Sequence, residues 1–571
     1  MKRIKISSII LILVGLIIYT IEYLIGIDTN LTISLIAIIL SVIVFTKEKR
    51  TIQVILKNLI TILLLLYISI TYKNIHYLSI GLLEYSIIKL LLGNSNKTML
   101  FKIINFVINL LFYVQELVLL FGGSYISMIM LTNISSLEDL SNNFVIYGTG
   151  IAILMLLSIV KIKSEFKIKR RLLITFVLIL LEIFAAINIS GAYSPVINYG
   201  KLMNQYIKYY QYKSQIRKNS KLYNAEKYYH ESINNYITYN KNLGERPNII
   251  LFFTEGLSKS IMFDNRNIMP TLRDYYYKTI TFDNYYNHTA ATYRGIVGQL
   301  YSSYQLDNND KNLLISIQGI LKEYGYNTVF INTEPENKEF ENYLLSFEFQ
   351  NLITSDKRSG NNNSIKDKDA YEFIYDKALE LNNSNQPFFI SMYTYGTHAS
   401  HDSLDYKYGD GQNPELNKFY NLDKVFGEFI EKFNNSELYD NTIVIFTTDH
   451  ATYTDNAWGN TFTSPRYDDF IDQIPLLIYH KDVEPRIINV NGRNSLDLAP
   501  TILDYIDISS PNYFLGDSLF SNNNTGTKYD RTSNYLMNYI STEDSIITYL
   551  NYDDPIVNDI LEYAAIASNK K

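Results

Sequence analysis

PNIILFFTEG, residues 247–256, decides the architecture, because the apolar run Ile249–Phe253 stops abruptly at Thr254-Glu255-Gly256. Alternating polarity would mark a sheet with one wet face, whereas an unbroken apolar run this short marks a strand covered on both sides, as in the sheets of α/β domains. The pattern recurs at Thr328–Ile331, Phe388–Tyr393, Thr442–Phe446 and Ile474–Tyr479, with stretches of helical character between the runs. Alternation of this kind predicts an α/β domain. In an open α/β sheet the ligand crevice lies outside the carboxyl ends of the strands. The polar residues that stop three of these runs are therefore candidates: Glu255, then Gly396-Thr397-His398, then Asp449-His450. Singly, each has an ordinary alternative, Glu255 as a helix cap, Asp449 as a turn residue and His398 as a surface histidine. The chain has only seven histidines, however, and two of them directly follow apolar strands. Together these groups form an oxygen and nitrogen donor set suited to Zn2+ or Mn2+, with Thr292 as a candidate fourth ligand.

Upstream of residue 247 the solvent changes. The first third of the chain is dominated by Ile and Leu, the remainder by Asn, Tyr, Asp and Lys. Residues 6–26 form an apolar run behind the basic start Met1-Lys2-Arg3-Ile4-Lys5, of about the 20 residues a bilayer span requires. No small-residue cleavage site follows and further runs do, so it reads as an anchor and not as a signal peptide. Those runs lie at 31–46, 52–71, 77–93, 101–122, 144–161 and 171–190. Two of them carry Glu84 and Glu116, which leaves a re-entrant or interfacial course open there, so five or seven spans are expected. Lys47, Lys49 and Arg50, and Lys161, Lys163, Lys167, Lys169, Arg170 and Arg171, are cation clusters that stay cytoplasmic under the positive-inside bias. Either odd count puts everything after residue 190 outside a cell membrane crossed several times. The expected division is a multi-span helical membrane domain at 1–190, a juxtamembrane linker at 191–246, an extracytoplasmic catalytic domain at 247–525 and its extension at 526–571. The Tyr- and Lys-rich connector reads as an amphipathic segment along the lipid head groups, or as a collar that positions substrate.

The formal charge is −6, and the basic residues fall in short clusters beside apolar runs, which argues against nucleic acid as a partner. Cysteine is absent. That excludes disulfides, zinc-thiolate sites, cysteine nucleophiles and a formylglycine made from cysteine.

The segments NIILFFTEG, MPTLRDYYYKTITFDNYYNHTAATYRGIVGQLYSS, FFISMYTYGTHASHD, YDNTIVIFTTDHATY, SLDLAPTILDYI and FLGDSLF occur in the order of a sulfatase-like domain of the alkaline-phosphatase superfamily. Over about residues 247–520 the chain resembles most the lipoteichoic acid synthase and phosphoglycerol transferase branch. By that resemblance Glu255, Thr292, Asp449 and His450 hold one divalent metal, Mn2+ or Zn2+. Thr292 is also the nucleophile, and His398 contacts the transferred phosphoryl group. Thr292 is preferred to Thr289 on the phase of TYRGIVGQLYS. The implied activity is transfer of a phosphoglycerol head group from a phospholipid donor, phosphatidylglycerol first and phosphatidylethanolamine second, to an envelope polysaccharide or glycolipid acceptor through a phospho-threonine. A phosphoethanolamine transferase, a sulfatase or phosphodiesterase hydrolase, and a non-catalytic envelope scaffold are the rival readings. Two departures from the family pattern stand out. Thr448 replaces a glycine before the Asp-His pair, and the tryptophan and arginine that bind the glycerol group in that family have no clear match, Trp458 lying elsewhere.

Overall fold

The computed structural model describes residues 30–49, 51–93, 98–122, 124–132, 144–189, 193–219, 224–239, 241–305, 311–384, 386–399, 401–463, 466–468, 470–522 and 527–569. The chain packs as two units, Met1–Lys208 and Tyr209–Lys571.

The first unit is helical: α1 (Asn30–Phe45), α2 (Ile52–Thr71), α3 (Ile75–Leu92), α4 (Met99–Gly122), α5 (Phe144–Ile159) and α6 (Ile168–Asn188), followed by α7 (Pro195–Asn219), which runs on past Lys208. Among the described residues four helices are long and apolar enough to cross a membrane, over Ile52–Thr71, Ile75–Leu92, Met99–Phe121 and Ile168–Asn188, while Leu31–Phe45 and Gly148–Ile159 are shorter apolar helices. The expected span at 6–26 lies outside the described residues. The segments holding Glu84 and Glu116 are continuous helices, without the break a re-entrant course needs.

The polarity of this unit is inverted relative to a water-soluble bundle. Leu172, Leu173, Phe176, Leu180, Ile183 and Ile187 of α6 face outward, while Glu48, Lys57, Glu84, Lys89, Glu116 and Glu182 are buried. Lipid outside and protein inside explain that arrangement, since ionisable groups at membrane depth must find partners in the bundle. Lys89 pairs with Glu48 at 2.8 Å. Lys57 Nζ donates to Asn109 Oδ1 at 2.7 Å and to the Val160 carbonyl at 3.0 Å. Glu84 accepts the Val196 N–H at 2.8 Å, and Glu84 and Glu182 share the Ser194 hydroxyl at 3.1 and 2.7 Å. The Lys49 N–H donates to the Lys163 carbonyl and the Glu165 N–H to the Lys47 carbonyl, both at 2.9 Å. The two cation-rich loops therefore lie at one end of the bundle.

The second unit is built on an eight-stranded sheet. Its strands are β1 (Asn248–Thr254), β2 (Ile280–Asp283), β3 (Asn327–Ile331), β4 (Asn351–Ile353), β5 (Phe388–Thr394), β6 (Thr442–Thr448), β7 (Leu477–Tyr479) and β8 (Arg486–Asn489), in the order β4-β3-β5-β1-β6-β7-β2-β8. The central strands β1, β5 and β6 are buried along their whole length, as their unbroken apolar runs predict. Successive side chains of a strand point to opposite faces. Ile249, Leu251 and Phe253 accordingly enter one core, shared with α8 (Thr292–Tyr301) and a helix at Leu498–Tyr505. Ile250 and Phe252 enter the other, shared with helices at Asp367–Asn382 and Pro414–Asn434. Within this α/β domain the sheet is mixed, because β7 runs antiparallel to both β6 and β2. The last apolar run thus supplies a three-residue strand, Leu477–Tyr479.

One feature of register sets up the site. Thr254 pairs with Thr394 on one side and with Thr448 on the other, so β1, β5 and β6 end at the same level. Beyond the main sheet, β9 (Thr532–Tyr535), β10 (Asn538–Ser541) and β11 (Thr548–Leu550) form an antiparallel sheet, and a helix at Pro555–Asn569 follows. Residues 224–239 are fastened to this unit: Tyr228 packs edge-on against Tyr563 at 5.1 Å, His230 bridges Asn512, and Ile233 enters the core.

Candidate metal and nucleophile site

Because the three central strands end level, the residues after them emerge side by side. Glu255 follows β1, and Asp449 and His450 follow β6; one ligand atom from each lies within 4.8 Å of the others, and all three residues are buried. His450 Nε2 is 3.5 Å from Glu255 Oε1 and 3.4 Å from Asp449 Oδ2. Its Nδ1 lies 2.8 Å from the Ala451 carbonyl, so an Nδ1–H donates there and the Nε2 lone pair faces the carboxylates. Asp449 Oδ2 and His450 Nε2 are buried without a hydrogen-bond partner among the described residues. Buried polar atoms are normally paired. Convergent orphan atoms beside a second carboxylate are a group that could hold a divalent cation, and hard oxygen with imidazole nitrogen fits Mn2+ or Zn2+.

The electrostatics of the three groups differ. Burial raises Asp449, the Glu255 charge raises it further, and its pKa stands at about 7 despite the opposing pull of His450. Burial also works to raise Glu255, but His450, His398 and a hydrogen bond from Tyr393 outweigh it and hold the carboxylate below its ordinary value. Burial would lower His450, yet the Asp449 and Glu255 charges raise it.

Thr292 is the first residue of α8, and its Oγ1 donates to Glu255 Oε2 at 3.2 Å. The Tyr393 hydroxyl holds the same oxygen at 2.5 Å. Two glycines let α8 come this close. A Cβ on Gly295 would stand 2.3 Å from the Asp449 carbonyl oxygen, and one on Gly298 would stand 2.0 Å from His288 Nε2. Gln299 then ties the helix to β6 by donating to the Thr448 carbonyl at 2.9 Å. Gly295→Ala is therefore expected to push α8 off the strand end, costing about 1–3 kcal/mol of stability by overpacking, and to weaken metal binding as well. A thermal melt with and without Mn2+ checks this; a wild-type midpoint and metal shift would show that the close approach is dispensable.

Thr289, the sequence alternative to Thr292, is fully buried and bridges Asn534 through its backbone, and its hydroxyl has no hydrogen-bond partner among the described residues. The threonine that replaces the family glycine before the Asp-His pair clasps the strand ends: Thr448 Oγ1 lies 2.7 Å from the Thr254 carbonyl, 2.9 Å from the His450 carbonyl and 3.0 Å from the Leu257 nitrogen, which donates to it.

His398 stands one strand over, after β5. Thr397 anchors that loop by donating to the Glu255 carbonyl at 2.6 Å. The His398 ring lies beside Tyr395 and His401, at 4.9 and 5.2 Å between centroids, and its Nδ1 is 3.1 Å from the Ala399 carbonyl. It is thus a neighbour of the three-residue cluster and not part of it. By contrast His288 is a structural histidine, fully buried between Ser495 and the Arg294 carbonyl at 2.6 and 3.2 Å, and burial lowers it to about 3.

Sequence reasoning missed Tyr393, Gln299 and Tyr453. Tyr453 stacks on His450 at 4.7 Å between ring centroids, and its hydroxyl donates to the Ala290 carbonyl at 2.5 Å. In a chain with 50 tyrosines, neither tyrosine stands out by type.

Residues 247–508 match the sulfatase family model. The second unit is thus a sulfatase-like α/β domain, in a chain that resembles lipoteichoic acid synthases. Lipoteichoic acid synthase 2 of Bacillus subtilis (strain 168) is 22% identical over 308 residues, 48% of this chain and 47% of that one. Among solved structures, the lipoteichoic acid synthase LtaP from Listeria monocytogenes is 15% identical with a TM-score of 0.46, over 59% of this chain and 94% of that one. The integral membrane lipooligosaccharide phosphoethanolamine transferase A (EptA) from Neisseria meningitidis is 13% identical with a TM-score of 0.45, over 76% and 89%. The chain spans about half the length of the curated relatives it matches.

Proposed function

We propose that this protein transfers a phosphate-containing head group, phosphoglycerol in first place, from a membrane phospholipid to a hydroxyl of an envelope glycan or glycolipid, with Thr292 as the covalent carrier. The observation that carries this reading is the Thr292 hydroxyl, 3.2 Å from Glu255 Oε2, beside a buried donor set whose Asp449 Oδ2 and His450 Nε2 have no hydrogen-bond partner among the described residues. The likeness to lipoteichoic acid synthase 2 supports phosphoglycerol as the group moved.

Glu255, Asp449 and His450 would hold one Mn2+ or Zn2+, with Thr292 beside it. Such an ion, when bound, lowers the pKa of a neighbouring hydroxyl and offsets charge developing on phosphate oxygens. A free threonine hydroxyl is a poor nucleophile, and Glu255 accepts its hydrogen bond while Tyr393 fixes the carboxylate in place. Thr292 Oγ attacks phosphorus and loses its proton; the bond to the diacylglycerol oxygen breaks, and that oxygen takes up a proton. His398 is the group we assign to supply it or to hydrogen-bond the phosphate. An acceptor hydroxyl then attacks the phospho-threonine, and Thr292 leaves and regains its proton. The membrane helices fit a lipid donor, and the cation clusters at one end of the bundle support the second unit lying outside the cell membrane.

Mass spectrometry after incubating the full-length protein with phosphatidylglycerol or phosphatidylethanolamine vesicles tests the reading on the tryptic peptide 279–294. A glycerophosphoryl adduct on Thr292 is expected. A phosphoethanolamine adduct would replace the donor, and no adduct together with turnover of a soluble sulfate ester would replace transfer by hydrolysis.

A further inference from the structure

Two residues after Thr292, on the same first turn of α8, sits an arginine for which the proposed chemistry has so far no use. Arg294 is 7% exposed. Among the described residues its Nε has no hydrogen-bond partner and the guanidinium has no ion pair, and the tyrosines Tyr209, Tyr453, Tyr343 and Tyr539 interact with it electrostatically. Arg493, also deeply buried, shows what a structural arginine looks like here: it is bonded to Asp497 at 2.8 Å, Asp530 at 3.0 Å, Ser521 at 2.7 Å and two backbone carbonyls.

A buried charge without a counter-charge is costly, and selection for stability alone would replace it by an apolar side chain of similar volume. A guanidinium presents five donors in a fork that matches phosphate oxygens. Its surroundings tie it to the site. Tyr453 is shared, since it stacks on His450 and interacts electrostatically with Glu255, Asp449 and Arg294. Tyr343, on another side, donates its hydroxyl to the Tyr293 carbonyl at 2.7 Å, next to Thr292 in the chain.

We infer that Arg294 is an anion-binding residue of this site, which takes the phosphate oxygens of the phosphodiester head group and aligns them for Thr292. The inference rests on the proposed transfer for its substrate, but the binding it predicts is measurable without turnover.

The test is a calorimetric titration of inorganic phosphate into the full-length protein in detergent, chelated and Mn2+-loaded, for wild type, Arg294→Gln, Arg294→Met and Arg294→Lys. Hydrogen bonds to charged groups give the scale: Arg294→Gln and Arg294→Met should weaken phosphate binding about tenfold or more in both metal states, with Arg294→Lys between them and the wild type. Thermal midpoints of the Gln and Met variants should hold or rise. In turnover with phosphatidylglycerol, KM should rise more than kcat falls. Unchanged phosphate affinity in folded Arg294→Gln, or a lower midpoint in both neutral variants, overturns the inference and makes Arg294 structural. Either result is independent of the Thr292 adduct, whose absence would remove the transfer reading and leave the anion site standing.

Discussion

Thr292→Ala is expected to abolish head-group transfer, with turnover down by on the order of 10³-fold or more, while the protein stays folded and still binds metal. The size follows from the role: removing a covalent nucleophile leaves only the catalysis that binding and electrostatics supply. The retained fold follows from position. Thr292 is half-buried at the start of α8, and its one side-chain hydrogen bond goes to Glu255. Losing it removes no packing, and Glu255 Oε2 keeps its bond from Tyr393. Thr292→Ser keeps a hydroxyl at the same place and should keep a measurable rate. Steady-state transfer from labelled phosphatidylglycerol, with a thermal melt in excess Mn2+ on the same preparations, checks both halves. Full activity in Thr292→Ala, with loss in Thr289→Ala, would move the nucleophile to Thr289.

Asp449→Asn and His450→Ala are expected to weaken Mn2+ or Zn2+ binding by about 100-fold or more, beyond what loss of an outer hydrogen-bond partner costs a metal site. Binding should also depend on pH, with a sign that the electrostatics set. A cation needs both carboxylates ionised and the imidazole neutral. Asp449 stands at about 7 and His450 is raised, so protons compete with the cation for both groups as pH falls through neutrality. Metal binding must displace them, so affinity falls as pH drops below about 7 and rises through neutrality, by about tenfold per pH unit for each proton displaced. Glu255, held low, stays ionised throughout. Competition against a metal-binding dye at several pH values measures the slope. A flat profile between pH 6 and 8 would mean that the site's protons are not where this geometry puts them.

Much of the site was legible before any coordinates, for a local reason. A strand buried on both faces must be a continuous apolar run, and a polar residue can follow it only where the backbone leaves the sheet; Glu255, Asp449 and His450 are marked by that break. The short strands were not legible. Leu477–Tyr479, Ile280–Asp283 and Asn351–Ile353 are three or four residues long, too brief for a period of two to show. Their direction is a matter of which neighbour they pair with, and that is how a sheet expected from its main runs alone came out mixed.

By itself the sequence determined the α/β class of the second unit, the apolar character of the first and the strand ends where donor atoms collect, because each is written in residues adjacent along the chain. Tertiary structure alone decided that Thr254 pairs with both Thr394 and Thr448, which brings the three strand ends level. It also decided that Gly295 and Gly298 admit α8 to within reach of Glu255, and that Arg294 is buried with no ion pair among the described residues. These depend on contacts between residues tens to hundreds of positions apart, where the energy lies in fit and in the cost of burying charge, and no local pattern in the chain records either.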